Sequence, residues 1–136
     1  MPAKGQDMAT SIFLAELIGP VCLVIGLSLF INGVGLRALL FEFIDSPALI
    51  FLSGIITMAA GIAIVLTHNI WAADWRVLIT LIGWLAVVGG AIRIAIPQHT
   101  VEIGRTMLTN IYTVPIVMGI YLVIGAVLTY FGYRPQ

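Results

Sequence analysis

Four runs of about 20 apolar residues constrain this chain more than any other feature, because that is the length a helix needs to cross a hydrocarbon core of about 30 Å. They cover residues 11–32, 47–67, 77–96 and 110–131. Backbone groups in lipid must find hydrogen bonds inside their own segment, so the runs are expected to be helices despite their many β-branched residues. Composition agrees. The chain is 61% hydrophobic and 9% charged, where a soluble domain is about a quarter charged. The expected fold class is an all-α integral membrane four-helix bundle, one domain over residues 1–136, with short connections. The first run exceeds the roughly 7–15 residues of a signal-peptide core, and no small-x-small cleavage site follows it in a polar context. It is read as a retained membrane helix.

Local chemistry marks the boundaries. Gly33 and Gly35 can end the first helix. Ser46-Pro47 supplies a capping residue and a first-turn proline for the second. Asp74 can cap the third, and Pro97 stops it. Asn110 or Thr113 can cap the fourth. Between the first two spans, Leu36, Leu39, Leu40, Phe43 and Ile44 form one stripe, with Arg37, Glu42 and Asp45 mostly away from it. This pattern predicts an interfacial helix; the alternative is a ragged extension of the first span. The segment QHTVEIGRTMLT is read as a polar loop.

Glycines recur at steps of seven: Gly19, Gly26 and Gly33; Gly54 and Gly61; Gly83 and Gly90. Gly119 and Gly125 are six apart. Seven residues are close to two turns, so each set marks a face on which helices could approach closely. Cys22, the single cysteine, is expected to pack.

Few side chains can carry chemistry. Glu16, His68, Asn69, Asp74 and Arg76 are expected to gather at one mouth of the bundle, and Asn32 with Arg93 at the other. The stretch LTHNIWAADWR is read first as a membrane-surface corner. There Trp71 and Trp75 sit at headgroup level, Asp74 caps and Arg76 reaches phosphate. The alternative uses Glu16 and His68 as a proton or cation site, since histidine titrates near neutrality. His68 and His99 fall on opposite sides, so neither a metal centre nor a haem is expected. No phosphate loop, G-x-S-x-G or H-E-x-x-H motif occurs. The chain carries six basic and six acidic residues, with no basic block to suggest nucleic acid.

Two functions compete at this level. One is a non-enzymatic packing module, either a homo-oligomer or an accessory subunit of a membrane complex. The other is a small channel or carrier for protons, cations or a small solute. No cofactor is expected; the lipid bilayer and other membrane subunits are the expected partners. Lys4, Arg76 and Arg134 lie with the termini, against Arg37, Arg93 and Arg105 opposite. The α-amino group tips this balance toward cytoplasmic termini.

His68, Asn69, Ile70, Trp71, Asp74, Trp75, Arg76, Thr80, Gly83 and Trp84 together carry a resemblance. This stretch, clearest over residues 61–97, resembles small four-helix inner-membrane proteins of bacteria to which no activity is assigned. The resemblance implies a bacterial inner-membrane location and transfers no site.

Overall fold

The computed structural model describes residues 4–134. Five helices follow one another: α1 (Lys4–Ile44), α2 (Pro47–Thr67), α3 (Arg76–Ala95), α4 (Pro97–Thr109) and α5 (Thr113–Gly132). No strand occurs among the described residues. Helices α1, α2, α3 and α5 are long and apolar enough to cross a membrane. The side chain of Lys4, used above to weigh orientation, lies outside the described part.

The helices pair in a nested order. The first packs antiparallel against the last, and α2 against α3. Contact between the two pairs is far sparser than within them. They meet at a small core of Leu14 and Ala15 from α1, Ile79 from α3 and Leu128 from α5, flanked by Ile64, Trp75 and Ile124.

Within each pair the backbones come close at glycine. A β-carbon added to Gly61 would lie 2.6 Å from the Val87 nitrogen and 2.8 Å from the Gly83 oxygen. One added to Gly90 would lie 2.6 Å from the Met58 nitrogen. In the outer pair, a β-carbon at Gly19 would meet the Thr129 nitrogen at 2.7 Å, and one at Gly125 the Leu23 nitrogen at 2.7 Å. Gly26, Gly54 and Gly83 are similarly crowded, mostly by side chains. Gly119 departs from the expected set, with nothing within 4 Å of its added carbon. Six residues at about 100° each leave it roughly 120° from Gly125. The residue on the Gly125 face is Gly132, seven further on, whose added carbon would meet the Glu16 nitrogen at 2.9 Å. Cys22 is buried along the same seam.

Helix α1 breaks at Asn32, where φ is −135° and ψ is 47°. The Asn32 side-chain oxygen accepts a hydrogen bond from the Gly35 nitrogen at 3.3 Å, capping the segment that follows. The two glycines therefore do not end the helix; the chain bends and continues to Ile44. Of the expected stripe only Ile44 is buried, while Leu39 is 63% exposed. Pro20 lies inside α1. It has no N–H to bond the Glu16 carbonyl one turn back. The Tyr133 hydroxyl reaches that oxygen at 3.4 Å, a long donation that partly replaces the missing one.

The segment read as a polar loop is helix α4. Pro97 opens it, and a joint at Ile96 (φ −138°, ψ 69°) separates it from α3. Its polar residues mask a short face of Val101, Gly104 and Leu108 at three- and four-residue steps. That face sits on the end of α1. A β-carbon on Gly104 would lie 2.7 Å from Ile44 Cδ1, and Arg105 forms an ion pair with Asp45.

The close approach at Gly61 gives a direct test. Gly61→Leu must push against the α3 backbone, so a loss on the order of 1–3 kcal/mol is expected. Gly119→Ala should leave thermal stability in detergent unchanged. Equal melting curves for wild type and Gly61→Leu would contradict the observed spacing.

Candidate functional site: the junction at His68

Helix α2 ends at Thr67, and the His68 backbone turns extended (φ −146°, ψ 90°) while its N–H still reaches the Ile64 oxygen at 2.7 Å. That turn carries the imidazole inward, where it is 1% exposed. Nε2 lies 2.9 Å from Ser11 Oγ on α1. Nδ1 lies 3.2 Å from Thr80 Oγ1 on α3. One ring thus joins the outer helix pair to the inner one.

The hydroxyls have commitments of their own. Ser11 Oγ donates to the Asp7 carbonyl at 2.7 Å. Thr80 Oγ1 donates to the Ile70 carbonyl at 3.0 Å and accepts from the Ile70 nitrogen at 3.1 Å. Each hydroxyl has a single proton. With both protons on carbonyls, both ring nitrogens must donate, which only an imidazolium can do. Burial opposes that charge and pushes the His68 pKa down, and the Arg76 charge adds to the lowering. The histidine's backbone hydrogen bond and the charges of Asp7 and Asp74 pull the other way. In the neutral ring one nitrogen becomes an acceptor. One hydroxyl must then turn its proton from a carbonyl to the ring.

The rest of the corner is structural in its bonding. Asp74 accepts from the Arg76 nitrogen at 2.9 Å, and from its Nε and Nη2 at 2.8 and 2.6 Å. The Arg76 guanidinium holds the Asp74 carboxyl below the usual carboxylate range. Arg76 folds back on Asp74 rather than reaching outward, and the cap position of α3 is taken by Trp75 rather than by Asp74. Asn69 accepts from Trp71 Nε1 at 2.8 Å, and Trp71 is exposed. Trp75 instead stacks on Phe131 of α5, with ring centroids 5.3 Å apart.

Glu16 does not join His68. No hydrogen bond or ion pair links them among the described residues. Glu16 lies five residues after Ser11, about 140° round the helix, so the serine meets the ring instead. Asn32 and Arg93 are also apart. Arg93 Nη1 donates to Thr57 Oγ1 on α2 at 3.3 Å, and Asn32 serves the break in α1. His99 lies on α4, exposed and 3.8 Å from Glu102. No group of three histidine, cysteine or carboxylate side chains is placed to hold a metal among the described residues. The residues missed in the sequence are Ser11 and Thr80. Their signal was the small-residue face itself: Thr80 is three before Gly83, and Ser11 is four before Ala15.

In comparison with known proteins, the chain matches no family model, no curated protein and no solved structure.

Two measurements probe the junction. Thr80→Val removes the partner of both His68 and the Ile70 backbone, and is expected to cost about 1–3 kcal/mol in a thermal or denaturant melt. Folding lowers the affinity of His68 for a proton, so the unfolded chain takes up the proton first. Stability from this residue is full above about pH 6.5, the unperturbed histidine value, and is lost as pH falls below it. Melts across that range should show an acid loss in wild type that is absent in His68→Gln. Parallel profiles for the two would refute a buried neutral ring.

Proposed function

We propose that this chain is a non-enzymatic multi-pass protein of a bacterial inner membrane, with cytoplasmic termini. It serves as a packing module, either as a homo-oligomer or as an accessory subunit of a larger membrane complex. The carrying observation is how its polar groups are used. The buried histidine spends both nitrogens on helix-to-helix bonds, and Asp74 is committed to Arg76.

The outer surface supports the same reading. Phe13, Leu17, Leu52, Ile56, Leu85 and Val123 are all exposed along the four apolar helices. Such faces suit acyl chains or other apolar helices, and patches of this extent are unusual on a water-soluble monomer. In lipid, helices join by van der Waals fit and small residues. A chain with two loosely joined helix pairs leaves long faces open for that purpose.

The competing reading as a proton or cation carrier required Glu16 and His68 to act together, and that pairing is not formed. Two experiments test the proposal. Extraction in mild detergent followed by native mass measurement should give an assembly larger than one chain. Only monomers, under every gentle condition tried, would count against it. Purified protein in liposomes should pass no more protons or potassium than empty vesicles. A flux abolished by Glu16→Gln or His68→Ala would replace this proposal with the carrier.

A further inference from the structure

The break at Asn32 opens a groove between the bend in α1 and the chain entering α5. It is lined by Asn32, Val34 and Arg37 on one side and by Ile111 and Pro115 on the other. Next to it, sharing Leu29 and Val114, runs a narrower apolar cleft. Leu36 and Leu40 of α1, Leu108 of α4, and Val117 and Tyr121 of α5 form its walls. A polar mouth therefore adjoins a greasy slot.

The arginine at that mouth differs from the other described arginines. Arg76 is paired with Asp74 and Arg105 with Asp45, Arg93 bonds Thr57, and Arg134 lies over the Tyr130 ring. Arg37 is half-buried and makes no hydrogen bond or ion pair among the described residues. A guanidinium held partly out of water without a counter-charge favours an anion, and its planar fork suits phosphate oxygens. The Asn32 amide nitrogen adds a second donor, since its oxygen is occupied by Gly35.

Depth fixes the kind of anion. From Ser11 to Asn32, 21 rises of about 1.5 Å give roughly 32 Å, about the thickness of the hydrocarbon core. The groove thus falls at headgroup level opposite the His68 junction. The start of α5 places Val114 and Pro115 at the same level.

We infer that this groove and cleft bind one anionic phospholipid, with its phosphate on Arg37 and Asn32 and an acyl chain in the cleft. The inference rests on the membrane reading above. Phosphate alone would satisfy the mouth and leave the slot empty, so the lipid is the occupant to which the geometry commits.

The test uses purified full-length protein in detergent, titrated with phosphatidylglycerol or phosphatidylcholine of the same chains and followed by native mass spectrometry. Wild type should retain phosphatidylglycerol in preference to phosphatidylcholine. Arg37→Gln should weaken that retention about fivefold, the effect of roughly 1 kcal/mol per basic residue at an anionic surface. Arg105→Gln, on the same side but already paired with Asp45, should change it little. Val117→Trp, which fills the slot, should weaken both lipids, and inorganic phosphate should not displace the lipid. Equal retention of the two lipids by wild type, or an Arg37→Gln protein that binds like wild type, would overturn the site. Displacement by inorganic phosphate would also overturn it, by showing a plain anion site. Any of these three results, from a protein that resists carbonate extraction from membranes, leaves the membrane reading standing. A protein released into water without detergent would remove both.

Discussion

The imidazole of His68 is a polar tie between the two halves of this molecule. Elsewhere the helix pairs touch sparsely, through a few aliphatic side chains around Leu14, Ile79 and Leu128 and through the stack of Trp75 on Phe131. At His68 the contact is directional, with Ser11 on one nitrogen and Thr80 on the other. Hydrogen bonds in so apolar a setting are strong when complete and costly when broken. Three hydroxyl and imidazole groups share their protons with two backbone carbonyls, so the loss of one partner disturbs them all. This explains why the hairpin LTHNIWAADWR concentrates polar residues. They close the end of one helix, start the next and dock the corner against α1.

Within each pair a different physics operates. Glycine lets two backbones approach until their own atoms touch, and nothing larger fits at Gly61, Gly90 or Gly125. Such contacts need no polar chemistry and are insensitive to pH. The molecule therefore combines two tight, featureless seams with one chemically demanding junction. Tryptophan follows the same division. Trp75 is drawn into the junction by stacking on Phe131, while Trp71 stays outside.

The long apolar runs were legible as helices because length and hydropathy act locally. The residues of α2 could be read to the end, from Pro47 to Thr67, since a proline opens it and a histidine turn closes it. Of the spaced glycines, Gly33 has only an ordinary contact at 3.9 Å and Gly119 has none, the latter because six residues rather than seven turn it to a different face. What could not be read was which helix faces which. Periodicity marks a face without naming its partner, so Glu16 looked like the neighbour of His68 although Ser11 takes that place. Helix α4 was hidden for another reason. Its apolar face is only two turns long, and the proline that stops α3 also starts α4. The bend at Asn32 depends on a side chain capping its own backbone, which glycine-counting does not reveal.

The nested pairing has a consequence for how the chain is made. Helices α2 and α3 are neighbours in sequence and can close on each other as soon as the second has been synthesised. Helix α1 waits for α5, which emerges only after α2, α3 and α4. At about 5–20 residues per second this delay is on the order of seconds. Through that interval the seam of Ala15, Gly19, Cys22 and Gly26 has no mate of its own. Of these five helices the first made is thus the last to find its mate, and a ribosome-bound intermediate carries an open, backbone-exposing stripe that any passing small-residue helix could fill first.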